Sequence, residues 1–144
     1  MDKRIIYLND EGTVSIIVPS SNSGLTIEEI AEKDVPTGKT YKIVNSSDIS
    51  SDRAFRNAWV LDTNNDVEIN ITKAKDIWKD KIRVSRKPAL EKLDVDFLKA
   101  QEQGSDTTSI VADKNTLRDL PSQVDTATTT DEIKAVWNDL LGDK

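Results

Sequence analysis

The sequence lacks cysteine and histidine altogether. Without cysteine the chain can form no disulfide and offers no thiol for nucleophilic catalysis. Without both residues it has no zinc site of the cysteine–histidine type, and without histidine it has no Ser-His-Asp triad. No glycine-rich loop of the kind that cradles phosphates occurs either. We therefore predict a protein that is not an enzyme and that has no cofactor and no metal site.

Long hydrophobic runs are also missing. No apolar run approaches the roughly 18 residues that a membrane-spanning helix needs. The first residues, Met1 to Tyr7, carry early charge without a long apolar stretch, which is unlike a secretory signal peptide. We therefore expect no membrane partner.

Charge is abundant but unevenly distributed along the 144 residues. Charged residues make up 32% of the chain and hydrophobic residues 36%, so we expect a thin core, an elongated shape or burial against a partner. The net charge is −6, yet residues 73–87 contain seven basic and two acidic residues. We interpret this basic stretch as a solvated helix surface, ahead of a docking site for an acidic protein. Any contact with nucleic acid is expected to be weak, salt-sensitive and not specific.

The first half of the chain has the alternating pattern of β-strands. Gly12 can adopt the positive φ that the turn between the first two strands needs, which predicts a β-hairpin. Thr26 and Glu29 form a capping box for a short helix that ends by Asp34. The predicted strands are residues 4–8, 13–18, 41–44, 59–61 and 67–69.

From about Ile71 the hydrophobic period changes from two residues to 3.6. Apolar side chains at spacings of three or four predict a long amphipathic helix, which Gly104 ends as a C-terminal cap. Pro88 interrupts the pattern and predicts either a kink or the start of a new helix. A second helix follows to about Leu120, and a last short helix begins after a capping box at Thr129. That last helix is predicted to carry Ile133, Val136, Trp137 and Leu140.

These patterns predict an α+β fold in two parts. Residues 1–70 form a small antiparallel, β-rich N-terminal module. Residues 71–144 form a helical region, in which the long helix, the second helix and the short C-terminal helix build a helical hairpin.

Two groups of acidic residues resemble functional sites, but their spacing does not fit the chemistry of such sites. Alternating side chains at residues 62–68 resemble the start of a calcium loop, but Val67 stands where glycine is needed and Lys73 where glutamate is needed. A plain hairpin turn is the better interpretation. Asp94 and Asp96 cannot act as paired catalytic acids, because residues two apart on a helix point to different faces.

Arg53, Arg56 and Trp59 lie close together in the sequence. We interpret this group as structural. Trp59 is expected to pack beside Phe55, while the two arginines pair with carboxylates.

Three ordered segments of the chain carry a resemblance to a known family. The first consists of Leu25–Gly38, Tyr41–Val44 and Asp48–Trp59, and it resembles an N-terminal module of small tail proteins of bacteriophages and prophages. The second, residues 74–100, is similar to the helical part of these proteins. The third, Leu117–Pro121 followed by Ile133–Trp137, resembles the ending of tail assembly chaperones and tail-fibre assembly proteins. In that family a tryptophan stands close after the proline, whereas residues 125–134 intervene here.

The resemblance implies a protein without enzymatic activity that binds another phage tail or tail-fibre protein. It also implies a location in the cytoplasm of the bacterial host during assembly, or in the virion tail. The alternative is a permanent structural component of the tail or neck, whose long helix packs in a symmetric oligomer.

Hydrophobic and aromatic contacts are the expected means of binding a partner. The candidate partner-binding residues are Trp78, Ile82, Leu93, Phe97, Leu117, Arg118 and Trp137. For Trp137 two roles stay open, a place in the core or an anchor on a partner. For the stripe on the long helix, the interpretation that we favour is an intramolecular seam with Ile110, Val111 and Leu117 of the second helix. Each fully buried large apolar side chain contributes roughly 1.5–3 kcal/mol, so both uses are energetically plausible.

Overall fold

The computed structural model describes residues 2–144, which adopt the α+β fold that the sequence predicts. About 52% of the chain is helical and 15% is in strands, with the strands in the N-terminal part. The chain divides into two compact units, residues 1–70 and residues 71–144. The division falls where the hydrophobic period of the sequence changes.

The β-rich unit contains two small antiparallel sheets and one short helix. Its strands are β1 (Lys3–Leu8), β2 (Val14–Ile17), β3 (Tyr41–Asn45), β4 (Trp59–Leu61) and β5 (Val67–Ile69). Its helix is α1 (Ile27–Asp34). Two short 3₁₀ turns are also present: Ser46–Asp48 follows β3, and Arg56–Ala58 leads into β4. The first sheet has the order β2-β1-β3, and the second pairs β4 with β5.

Alternation along β1 gives the first sheet two buried faces. Ile5 faces α1 and packs against Ile30 and Ala31. Ile6 points to the other face, where it packs with Trp59 of the second sheet. Both isoleucines are fully buried. The unit therefore has three layers, and a register slip of one residue would exchange the two cores.

The turns and caps of this unit follow local chemistry. Gly12 has a φ of 76° in the β1–β2 turn, which confirms the predicted hairpin. Thr26 and Glu29 form both hydrogen bonds of the capping box at the start of α1. In the β4–β5 turn the Asp62 carboxylate accepts backbone N–H bonds from Asn64 and Asp66. This is turn chemistry, as the sequence pattern indicated.

The helical unit is built on one long helix, α2 (Ile71–Glu102). Its 32 residues span about 48 Å. Pro88 lies inside α2 and does not split it. Proline there releases the carbonyl of Val84 from its helical hydrogen bond. Val84 is 74% exposed and Pro88 is also exposed, so the released carbonyl lies on the side where water can bind it.

A short connection reverses the chain after α2. Gly104 has a φ of 66°, and the N–H groups of Gly104 and Ser105 donate to the carbonyls of Gln101 and Ala100. This is a Schellman motif, as predicted from the glycine. Helix α3 (Thr108–Asp119) follows and completes the helical hairpin.

The segment after α3 differs from the prediction. Helical backbone was expected to stop before Pro121, but it continues as a 3₁₀ helix, Leu120–Thr126. Proline at an early helical position needs no N–H partner. The buried residues Leu117, Leu120, Val124 and Ala127 recur at intervals of three or four. A helix with three residues per turn keeps such side chains on one face, so the segment is buried against α2.

The last α-helix is shorter than predicted. Helix α4 (Thr130–Ala135) starts with the predicted capping box, in which Thr129 accepts from the N–H of Glu132. It ends before Val136, Trp137 and Leu140, which were expected on it. A second short 3₁₀ turn, Asp139–Leu141, follows and contacts α2.

We predict that Pro88→Ala stabilises the helical unit, because alanine restores the N–H donor that α2 lacks. The expected gain in unfolding free energy is about 1–3 kcal/mol, measured by urea denaturation followed by circular dichroism. Pro36→Ala is the matched control, since Pro36 lies in the turn after α1 and its replacement restores no helical bond. An unchanged or lowered unfolding free energy for Pro88→Ala would contradict the continuous helix.

Candidate functional site

The structure places most of the candidate partner-binding residues inside the helical unit. Trp78, Ile82, Leu93 and Leu117 are at most 9% exposed. Phe97 and Trp137 are half-buried, and Arg118 is exposed. The four buried side chains have no surface to offer a partner in this fold. They lie in the intramolecular seam, which is the favoured interpretation of the stripe.

Trp137 connects the C-terminal segment, residues 136–144, to α2. Its ring lies 5.6 Å from the ring of Trp78, measured between centroids. The Trp78 indole N–H donates to the carbonyl of Val136 at 2.9 Å, and the Trp137 indole N–H donates to that of Gly142 at 2.7 Å. The Lys81 ammonium lies within 5.5 Å of both rings. These contacts give Trp137 an internal role that sequence reasoning left open.

Several basic residues of the stretch 73–87 bind the segment that runs back along α2. The Lys75 ammonium donates to the carbonyl of Asp125 at 2.9 Å, and Lys79 forms an ion pair with the Asp125 carboxylate. Arg86 donates to the carbonyls of Leu117 and Arg118 at the end of α3. Cations at these carbonyls satisfy acceptors that a helix end leaves open. Part of the basic stretch therefore acts within the fold.

The two carboxylates once considered as a catalytic pair form separate ion pairs. Asp94 binds Lys114 of α3 at 2.7 Å, and Asp96 binds Lys92 at 2.6 Å. The Lys114 ammonium also lies 5.2 Å from the ring of Phe97. These contacts set the register of α3 on α2, and the carboxylates do not converge on a common point.

A second apolar row lies on the face of α2 opposite the buried seam. Val84, Val95 and Leu98 are 74%, 50% and 58% exposed. Eleven residues make about three helical turns, so Val84 and Val95 lie on one side of the helix. At about 100° per residue, Ile82 and Leu93 lie on the far side. We call Val84, Val95 and Leu98 the outer row.

Val111 is an exposed apolar residue of α3. The sequence suggested that Val111 lies in the seam, but its side chain is 40% exposed. Helix α3 runs antiparallel to α2, and its Lys114 contacts Asp94 of α2. The residue one helical turn before Lys114 therefore lies beside the residue one turn after Asp94, at about residue 98. Val111 therefore lies at the same end of the hairpin as Leu98.

The arginines beside Trp59 do not behave as predicted. No described carboxylate forms an ion pair with Arg53 or Arg56. Their guanidinium groups instead lie 5.1 and 4.8 Å from the Trp59 ring. Sequence reasoning missed this stacking because guanidinium groups bind both carboxylates and aromatic faces, and only the fold determines which is near.

Searches of protein-family models, of curated proteins and of solved structures find no match to this chain. Among residues 2–144, no cluster of three acidic side chains is arranged to hold a metal ion. Within the same residues, no helix has the length and apolar character to span a membrane.

We predict that acid weakens the helical unit. Hydrogen bonds from Lys79 to Asp125, from Thr108 to Asp106 and from Thr128 to Glu132 lower the pKa of each carboxyl below its ordinary value. A lowered folded-state pKa stabilises the fold above the unfolded-state pKa, and this stability is lost as pH falls through the folded-state value. The urea midpoint should therefore be nearly constant from about pH 7 to about pH 5 and fall below about pH 4.

Asp125→Asn tests one of the three contributions to this prediction, since it removes the partner of Lys79 while keeping the side chain's size. Its urea midpoint should be lower at about pH 7 and should fall less on acidification. Asp143→Asn removes an exposed charge that forms no ion pair in the described chain, and it serves as the control. Equal pH profiles for the wild type and Asp125→Asn would contradict the role of this carboxylate.

Proposed function

We propose that this chain acts by binding another protein during bacteriophage tail or tail-fibre assembly, without catalysing a reaction. The ordered resemblance of three segments to small phage tail proteins supports the biological setting. The observation that carries the mode of action is the outer row of α2, which presents three exposed apolar side chains away from the helix's own core.

The size of the outer row limits the kind of contact that it can make. Covering three half-exposed aliphatic side chains contributes about 1 kcal/mol each, or somewhat more for Leu98. The entropic cost of bringing two proteins together is about 4 kcal/mol or larger. The outer row alone is therefore too small for a tight complex. It suits a transient helper that shields a partner, or one contact among several in an assembly.

A permanent structural role is the alternative, and the spacing of α2 favours it in one respect. Five exposed residues follow one another along α2 at intervals of four and three residues: Val84, Pro88, Glu91, Val95 and Leu98. Such spacing is typical of a seam between helices of different subunits. Glu91 and Pro88 interrupt its apolar character, so a symmetric oligomer would need further contacts.

The double variant Val95→Asp/Leu98→Asp tests the proposal. Two carboxylates in the outer row should prevent its burial against a partner, because an unpaired charge is costly to desolvate. In cells infected with a phage that lacks the gene, wild-type protein should restore intact tails seen by electron microscopy, and the double variant should not. Leu8→Asp, an exposed apolar position of β1, is the matched control and should restore tails.

Two outcomes would count against the proposal. If the double variant restores full tail assembly, the outer row does not mediate the contact. If tails are normal in the absence of the gene, the protein is not needed for assembly. Mass spectrometry of purified virions separates the two versions, since a transient helper is absent from them and a structural component is present.

A further inference from the structure

The β-rich unit contains an open pocket that the proposed assembly role does not use. Its volume is about 450 Å³, within the range of small-ligand sites. It is bounded by β1, the end of β2 and the segment of residues 46–56. Arg4, Arg53 and Arg56 line it together with three serines.

Two of the arginines are held in place by a buried aromatic platform. Trp59 is 1% exposed and packs in the core of the unit. The guanidinium carbon of Arg56 lies 4.8 Å from the Trp59 ring, and its Nη2 donates to the carbonyl of Val14 in β2. The guanidinium of Arg53 lies 5.1 Å from the same ring. Stacking on a rigid ring fixes these cations in advance, so less side-chain entropy is lost when a ligand binds.

The charge of these two arginines is not neutralised by ion pairs within the described chain. Nearby carboxylates have local partners: Asp48 accepts from the N–H of Asn45, and Asp52 accepts from that of Ala54. Burial and the proximity of Arg53 both lower the pKa of Arg56. Two like charges held side by side repel each other, and an anion between them would offset that repulsion.

Part of the pocket's wall is apolar. Ile16, Val18 and Ile49 contribute this apolar wall, and Val18 is 63% exposed. A lining that combines cationic and aliphatic side chains matches a ligand with one charged and one apolar part. Guanidinium groups bind carboxylate and phosphate oxygens in a planar fork, while the aliphatic side chains exclude water from an apolar group.

We propose that this pocket binds a phosphate or carboxylate group that is attached to an apolar body. The site is confined to the β-rich unit and is independent of the outer row, so it stands whether or not the assembly role is correct.

Titration of the ¹⁵N-labelled full chain, followed by NMR, tests the proposal with simple probes. Phenyl phosphate and benzoate should cause saturable shifts of the Trp59 indole N–H and of amides in residues 46–56. Inorganic phosphate should bind more weakly, because it leaves the apolar wall uncovered. Benzyl alcohol, which has the ring without the charge, should cause no saturable shift. The tighter of the two charged aromatic probes identifies the preferred oxyanion.

Arg53→Gln is the decisive variant. Within residues 2–144 the Arg53 side chain stacks on Trp59 and forms no ion pair, and its replacement leaves the hydrogen bond from Arg56 to β2 intact. Loss of its charged hydrogen bonds should weaken binding of the better probe about tenfold or more. Arg53→Lys should recover only part of it, since an ammonium lacks the planar fork. Arg83→Gln in the helical unit makes the same charge change and should leave the affinity unaltered.

The proposal is overturned if neither charged probe gives saturable shifts at millimolar concentration. It is also overturned if benzyl alcohol binds as well as phenyl phosphate, or if Arg53→Gln binds the probes as tightly as Arg83→Gln. A well-dispersed spectrum of each variant establishes that lost binding is not lost folding.

Discussion

Burial of one stripe of α2 is the interaction on which the helical unit depends. Ala74, Trp78, Ile82 and Leu93 are the buried residues of this 32-residue helix. Helices α3 and α4 and both 3₁₀ segments of the unit all contact α2. Helices this short are marginal in water without tertiary packing, so they depend on α2 for their stability. The polar contacts follow the same antiparallel order, with Asp94 bound to Lys114, Arg86 to the end of α3, and Lys79 to Asp125.

This arrangement divides the surface of α2 between internal and external uses. Trp78 and Leu93 are buried in the core. Trp137 packs against Trp78 and so holds the C-terminal segment on α2. What remains for a partner is the outer row, which is small and aliphatic. The two proposals therefore rest on different surface groups: aliphatic side chains in the helical unit, and stacked guanidinium groups in the β-rich unit.

Local patterns in the sequence predicted the fold well where local physics determines it. The hairpin at Gly12, the capping boxes at Thr26 and Thr129 and the Schellman motif at Gly104 each follow from backbone geometry within a few residues. The stripe of α2 follows from its 3.6-residue period. Pro121 misled the prediction because it suits the first turn of a 3₁₀ helix as well as it ends an α-helix.

The candidate sites were less accessible to sequence reasoning, because they depend on contacts between distant residues. Periodicity could not distinguish the buried from the exposed apolar positions of α3, and Val111 was wrongly assigned to the seam. Nor could it tell that the guanidinium groups of Arg53 and Arg56 stack on Trp59 instead of binding carboxylates. These choices are decided by which surfaces the fold brings together.

Native-state hydrogen exchange on Ile82→Ala tests the dependence of the unit on α2 most directly. Removing this fully buried side chain should cost about 2–5 kcal/mol. If the stripe of α2 holds the unit together, the protected amides of α2, α3, the Leu120–Thr126 helix and α4 should all exchange faster, and by a similar factor. Faster exchange limited to the turns of α2 around Ile82, with α3 and α4 unchanged, would contradict the account.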